Sequence, residues 1–421
     1  MRRCAIVGFG CAGYHAAEEL RRRDPQAEIA VYSDHSLAPY NPMLTTYYAA
    51  GRIPFDAAFP FGSLPEIGTR LRLDLRPNCR VARVDGKNRR LLLGGGESEA
   101  FDSILLSTGA RAFAPPIEGL PKDRTFLMRT MDDAQALRAR LSQGDLKRVL
   151  VVGASMVGIK VVELCWAAGL EVLLADMAGR IFPLSTYPEV AKAIEGRLTA
   201  QGVELRFGCA MDGARETGTG LLCHMTDGSE TPADIVVLCI GTRANTALVD
   251  PAEISLGRGI TVNSRMETSC PGVYAAGDCC EGTDLQSGQN LIIGLWANAG
   301  HQGVTAGANM AGGDKRFDGN ILHNITHFLD MDFIGLGDNR ATGEVYQYYS
   351  PDRRFYLQAV LKDGWPVGFN ILDNYGISGI LKAHLVKVLR GEKSGFTPEQ
   401  RGQLLRYGLE GDFIDTLEGM V

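Results

Sequence analysis

The chain contains no run of 18 apolar residues, so nothing in it reads as a membrane-spanning helix. Met1-Arg2-Arg3 resembles a secretory n-region only briefly, because glycines at 8, 10 and 13 interrupt any apolar core. The expectation is a cytoplasmic protein with no membrane partner. An excess of positive charge is also missing: 43 Lys and Arg against 49 Asp and Glu give a net charge of −6. That balance offers no general attraction to nucleic acid. The short basic runs Arg21–Arg23 and Lys87–Arg90 read as solvated faces. There are ten cysteines but no C-x-x-C, which leaves a zinc ribbon or thioredoxin-type site without support. Cys165 and Cys239 fall inside apolar patterns and read as buried free thiols of a reducing compartment. His301, His323, His327 and His384 show no metal spacing, and no metal is expected. Short repeats and low-complexity tracts are absent.

Glycine is what the chain has in quantity, 51 residues in 421. The length and the 45% hydrophobic content allow two or three domains, each with its own core. Cys4–Val7 reads as a short apolar strand. Gly8-Phe9-Gly10-Cys11-Ala12-Gly13 follows, then a helical stretch to about Arg23 and a second strand over Glu28–Tyr32. Strand, G-x-G-x-x-G, helix and strand form a dinucleotide-binding context. Gly8 makes the tight turn, Gly10 lets backbone approach a pyrophosphate, and Gly13 lets helix and strand pack closely. The helix N-terminus offers free N–H groups to the phosphates. Asp34, just past the second strand, suits a ribose hydroxyl; His35 beside it competes for that register.

The device recurs. The strand Arg148–Val152 leads into Gly153-Ala154-Ser155-Met156-Val157-Gly158, a helix to about Ala168, and a strand over Glu171–Ala175. Ser155 replaces the middle glycine and is small enough for close approach. Asp176 ends the strand, where a carboxylate accepts from the 2′-hydroxyl of an NAD ribose. A 2′-phosphate there meets a like charge, which favours NADH over NADPH, although Arg180 leaves NADPH open. Two such loops point to FAD and NADH as the ligand pair.

Three further strand-and-glycine elements make a family resemblance specific. They are Ser107-Thr108-Gly109-Ala110-Arg111, the run from Ala233 through Gly241 to Asn245, and Gly272-Val273-Tyr274-Ala275-Ala276-Gly277-Asp278-Cys279. With the two loops, they resemble the pyridine nucleotide–disulfide oxidoreductase-like flavoproteins. Within that family the chain looks most like rubredoxin reductases, ferredoxin reductases and the flavin part of NADH-dependent nitrite reductases. Pro39-Tyr40-Asn41-Pro42-Met43-Leu44 resembles their P-Y-x-R-P-x-L signature, one residue shorter and without the arginine. Leu295-Trp296-Ala297-Asn298 through Gly312 resembles their W-x-x-A-x-x-Q-G-x-x-A-x-x-M-A-G run. The resemblance covers residues 1–325 well and the C-terminal quarter more loosely. It implies FAD at Gly8, Gly10, Gly13, Asp34, Thr108, Gly109, Gly277, Asp278 and Ala297, with Asp278 on the ribityl chain. It implies NADH at Gly153, Ser155, Gly158, Asp176 and Gly241. A helix starting near Trp296–Asn298 is expected to aim its N–H groups at the flavin pyrimidine ring, with Trp296 beside the isoalloxazine.

The departures from the family are equally informative. Its disulfide reductases carry C-x-x-x-x-C after the first strand–helix–strand unit, and its single-cysteine oxidases keep one cysteine there. Here that helix reads Met43-Leu44-Thr45-Thr46-Tyr47-Tyr48-Ala49-Ala50-Gly51. Cys11, in the first loop, reads as small apolar filler, and the vicinal Cys279-Cys280 has only a weak claim to redox chemistry. Many family members pair a helix lysine with a glutamate after the second loop, close to the flavin. Thr45 or Thr46 and Lys160 occupy those positions here. Lys160 therefore reads either as a lone cation near the flavin or as a lysine on the exposed side of its helix.

The expected fold class is α/β, with two Rossmann-like dinucleotide-binding domains and a small C-terminal α+β domain. The FAD domain is expected over 1–112 and 246–323, the NAD domain over 113–245, and the α+β domain over 324–421. Strands are expected at 345–350, 355–361 and 365–370, with turns at Asp352-Arg353 and Asp363-Gly364, then a helix over 373–390. The expected activity is FAD-dependent NADH:acceptor oxidoreduction, with Lys160 and Trp296 near the flavin and no redox-active disulfide. The acceptor is a protein carrier such as a rubredoxin, a ferredoxin or an iron–sulfur partner. The alternatives are an NADH oxidase or small-molecule reductase, and a slow redox-sensing interaction protein. A homodimer and a subunit of a larger complex both remain open.

Overall fold

A computed structural model describes residues 1–352 and 354–419. The turn expected at Asp352-Arg353 therefore lies partly outside the described residues. The chain forms two compact units. One comprises Met1–Arg111 with Thr242–Asn320, and the other Ala112–Gly241 with Ile321–Val421.

The first unit is built on a five-stranded parallel sheet in the order Val273–Ala275, Ser103–Leu106, Arg3–Val7, Glu28–Tyr32 and Asp74–Arg76. Cys4, Ala5 and Ile6 are fully buried, as are Ile104, Leu105 and Leu106 beside them. Continuous apolar runs of this kind suit a parallel sheet covered on both faces. The helix Cys11–Arg23 leaves the first strand through the glycine loop. It lies against the helix Trp296–Met310, and the contact is made by backbone. A Cβ on Gly303 would overlap the carbonyl of Ala12, and one on Gly307 the carbonyl of Ala16. Only glycine at those positions permits so close an approach.

The second unit repeats the design. Its parallel sheet runs Glu204–Phe207, Glu171–Asp176, Arg148–Val152, Ile235–Leu238 and Thr125–Leu127. The helix Met156–Ala167 follows its glycine loop. This unit also contains a five-stranded antiparallel sheet in the order His323–Phe328, Met331–Leu336, Trp365–Leu372, Tyr356–Lys362 and Glu344–Tyr349. The last three are the strands anticipated from the sequence, and Asp363 (φ 53°) with Gly364 (φ 76°) makes the tight turn between two of them. The hairpin joining the first two turns at Leu329 (φ 43°) and Asp330 (φ 63°). The anticipated helix is shorter, Ser378–Leu389, after a 3-10 turn at Tyr375–Ile377, and Gly391 (φ 85°) lies just past it. Among the described residues, no helix is long and apolar enough to cross a membrane.

The helix contact gives a direct test. Gly303→Ala should lower the thermal midpoint by an amount equivalent to about 1–3 kcal/mol, because the two backbones must separate. Gly196→Ala, at an exposed position of the helix Pro188–Ala200 where an added Cβ meets nothing within 4 Å, should leave the midpoint unchanged or raise it. Equal effects from the two, read by circular dichroism, would remove the close-approach argument.

Candidate functional site

In the first unit the glycines divide their work as their spacing suggests. Gly8 has φ 93°, and a Cβ there would overlap the Ser107 carbonyl; a Cβ on Gly13 would overlap the Gly8 carbonyl. Both are demanded by packing. Gly10, the residue before the helix, has nothing within 4 Å of an added Cβ, so it faces open space at the helix N-terminus. That is the cradle a pyrophosphate requires. Gly109 (φ 65°) is equally open. Its loop is clamped by Asn245, which sequence reasoning did not single out. The Thr108 hydroxyl donates to the Asn245 carbonyl at 2.6 Å, the Asn245 amide donates to the Thr108 carbonyl at 2.9 Å, and the Asn245 N–H donates to the Gly109 carbonyl at 2.9 Å.

The Gly277–Asp278 turn is held by Gln302, whose side-chain oxygen accepts the Gly277 N–H at 2.8 Å. Gln302 comes from the long glycine-rich helix, so that helix holds the turn. An added Cβ on Gly294 would sit 3.8–3.9 Å from the Asp278 carboxylate, which places Asp278 beside the entry to the helix. No side chain caps that helix N-terminus, and Ala297 in its first turn is exposed. Its first N–H groups are thus presented together with a positive dipole end. Cys11 donates to the Trp296 carbonyl at 3.3 Å. The Trp296 ring stacks on Phe61 at 5.7 Å and 13°, and Phe61 stacks on Tyr14 at 3.9 Å and 12°. Trp296 Nε1 is buried with no hydrogen-bond partner among the described residues. An orphaned indole N–H, an uncapped helix N-terminus and an open glycine loop are what a flavin dinucleotide fits. Asp34 lies exposed just past its strand. His35 Nδ1 accepts from the Leu37 N–H at 3.2 Å and shapes that loop.

In the second unit Gly153 (φ 111°) and Gly158 are again required by packing, against Cys239 and Gly153 respectively. Ser155 does more than stay small. It caps the helix by accepting the Gly158 N–H at 3.1 Å and donates to the Cys239 carbonyl at 2.9 Å. Asp176 reaches back to the loop: one oxygen accepts the Ala154 N–H at 2.7 Å and the other the Ala178 N–H at 2.7 Å. These bonds fix the carboxylate, and each oxygen keeps a second lone pair for a ribose hydroxyl. Gly241 (φ 100°) has open space beside it.

Lys160 is neither of the two things its sequence position suggested. It is buried at 7% exposure, as is Glu163 at 5%, and the two form an ion pair one helical turn apart. Lys160 Nζ also donates to the His327 carbonyl at 2.7 Å. It is therefore a paired internal charge, tying the helix after the second loop to the hairpin strand His323–Phe328. The signal for this was Glu163 at the i+3 position. Thr45 and Thr46 are both buried, and the Thr45 hydroxyl donates to the Pro42 carbonyl at 2.8 Å. All ten cysteines are free. Burial, with the Asp278 charge behind it, pushes the Cys11 thiol up to about 12. Burial also pushes Cys279 and Cys280 up. None of these thiols is poised as a thiolate.

Two glycine-loop units, one carrying a flavin-type cradle and the other a carboxylate held against its loop, define a flavoprotein that binds two dinucleotides. Residues 2–303 match the family described as "Pyridine nucleotide-disulphide oxidoreductase", and the chain belongs to it. It is 30% identical to the NADH oxidase of Methanocaldococcus jannaschii over 343 residues, 80% of this chain and 76% of that protein. It is also 30% identical to the nitric oxide reductase FlRd-NAD(+) reductase of Klebsiella pneumoniae over 292 residues, 68% of this chain and 75% of that protein. The fold matches the water-forming NADH oxidase from Lactobacillus brevis bound to NADH, with a TM-score of 0.86 at 22% identity, covering 93% of this chain and 91% of that one. The chain is an FAD- and NADH-using oxidoreductase of this family.

Two variants test the site. Gly10→Val fills open space and should leave the fold intact while the protein purifies with little or no flavin. Full flavin content, read from the visible spectrum, would place the pyrophosphate elsewhere. Lys160→Met strands the Glu163 carboxylate and should cost about 3–5 kcal/mol, whereas Lys160→Met with Glu163→Leu should recover most of that loss. Thermal unfolding of the three proteins reads the difference, and equal losses in single and double variants would contradict the buried pair.

Proposed function

We propose that the electrons of NADH leave this enzyme for a protein electron carrier, of the rubredoxin, ferredoxin or iron–sulfur type, without a thiol relay. The observation that carries this reading is the state of the thiols. The helix Thr45–Ala49 has no cysteine, and the cysteines near the first loop are buried and held protonated. A dithiol step needs an accessible thiolate. Bound FAD supplies the change from two-electron to one-electron chemistry that a carrier of this type demands. Around it, the chain's own residues bind and orient. Gly10 admits the pyrophosphate, Asp278 takes the ribityl chain, and Trp296 flanks the ring system. The N–H groups of the helix Trp296–Met310 stabilise negative charge at the pyrimidine end. Asp176 receives the NADH ribose and disfavours the 2′-phosphate of NADPH. The Klebsiella relative, named for a protein acceptor, supports the carrier reading.

A second reading, NADH oxidase activity with oxygen or a small acceptor, is favoured by the name of the Methanocaldococcus relative. The test runs in two stages. Anaerobic stopped-flow mixing with NADH should bleach the flavin rapidly, and NADPH should do so at least about tenfold more slowly at equal concentration. Steady-state NADH consumption should then rise severalfold when a rubredoxin or ferredoxin is added. Turnover that depends on oxygen and ignores every carrier would favour the oxidase. Slow bleaching by both nucleotides would leave a redox-sensing binding protein.

A further inference from the structure

One titratable pair in the second unit has no part in dinucleotide binding. The helix Ser378–Leu389 brings Lys382 Nζ to within 3.2 Å of His323 Nε2, at the start of the strand His323–Phe328. Both side chains are half-buried. Among the described residues no carboxylate lies within ion-pair distance of Lys382. Burial pushes its amine down from the usual lysine range, and no charged neighbour pushes it back. Burial first, then the Lys382 charge, pushes His323 down to about 4, against a small opposing contribution from the Ile321 backbone. The acids on adjoining strands are engaged elsewhere, Asp332 with His327 and Asp373 with Arg197.

The physical consequence is specific. An ammonium drawn half out of water without an acid beside it loses ground to the neutral amine. As its Nδ1–H tautomer, the neutral His323 ring accepts one N–H from the amine, which holds it in place and leaves its lone pair available. We infer that Lys382 is a nucleophilic lysine and the preferred acylation site of this chain, taking an acyl group from a thioester or an acyl phosphate. The Nζ lone pair forms an N–C bond at the donor's carbonyl carbon. The C–S or C–O bond breaks, the thiolate or phosphate departs with its electron pair, and the surplus amine proton passes to water. His323 is the positioning residue. The amide formed carries no charge, so the reaction removes a half-buried charge that has no acid beside it. The strand it acts on holds Lys160 at its other end through the His327 carbonyl, so the modification is connected to the helix after the second loop.

The experiment uses the flavin-loaded full chain, treated with acetyl phosphate in one arm and acetyl-coenzyme A in the other, from about pH 7 to about pH 10. Peptide mass spectrometry compares Lys382 with the exposed Lys393. Near pH 7, Lys382 should label at least about tenfold faster, and the two rates should converge as pH approaches the ordinary lysine range. Labelling by either donor supports the assignment and names the source. Absence of labelling by both overturns it, as does a Lys382 profile that tracks Lys393 at every pH. His323→Glu places a carboxylate beside the amine and should move the Lys382 profile to higher pH, slowing labelling near pH 7 about tenfold or more. His323→Gln keeps a neutral acceptor and should not move the profile. Identical profiles for the Glu and Gln variants would also defeat the inference, and the wild-type profile stands as a test even if a variant fails to fold.

Discussion

The first unit depends on the contact between two helices at backbone distance. Gly303 and Gly307 meet the carbonyls of Ala12 and Ala16, with no side chain between them. That contact fixes the helix leaving the glycine loop against the helix whose uncapped N-terminus lies beside Asp278. Gln302, one residue before Gly303, carries the constraint onward by accepting the Gly277 N–H. Asp278 follows directly. Glycine loop, Asp278 and helix N-terminus are therefore set by one packing event. Interiors pack too densely for such a contact to slacken in one place only. An added methyl at Gly303 would thus disturb the glycine loop through Ala12 and, through Gln302, the turn at Gly277.

Much of this was legible in the sequence because the demands are local. A glycine that must adopt positive φ or lie against a carbonyl is legible from its neighbours. Gly8, Gly13, Gly153 and Gly158 all turned out to be such residues, in two parallel sheets of the expected kind. The start of the helix at Trp296 and the turn at Asp363-Gly364 were legible for similar reasons. What escaped notice was non-local or carried unusual residues. The hairpin between His323 and Leu336 turns at Leu329-Asp330, two positive-φ residues of which the first gives no turn signal. Asn245 clamps Thr108 across 137 positions, a distance over which sequence patterning says nothing.

Lys160 shows how an apparent departure from a family pattern resolves. A lysine where relatives place an acid looked like a charge in need of a new purpose. The fold supplies Glu163 on the same helix and a carbonyl from His327, 167 positions away. A buried pair of this kind contributes little net stability, since the Coulomb gain is offset by desolvation. Removing one member is nevertheless costly. The pair therefore fixes how the helix meets the hairpin strand more than it strengthens the unit.

The same reasoning decides where negative charge is stabilised. With Lys160 neutralised by Glu163, its helix offers no lone cation. In the first unit Thr45 and Thr46 stand in place of a charged residue, and both are buried. On the proposed function, stabilisation then falls to the uncapped N–H groups at Trp296–Asn298, whose effect fades within a single helical turn. A dipole fixed by backbone needs no counter-ion and no proton, and it does not titrate. The thiols reach the same end by another route, since burial keeps Cys11, Cys279 and Cys280 protonated. On the proposed function, none of these groups has to change its charge or its covalent state when electrons arrive. What remains for the chain to determine is position, and position is what the glycine contacts hold.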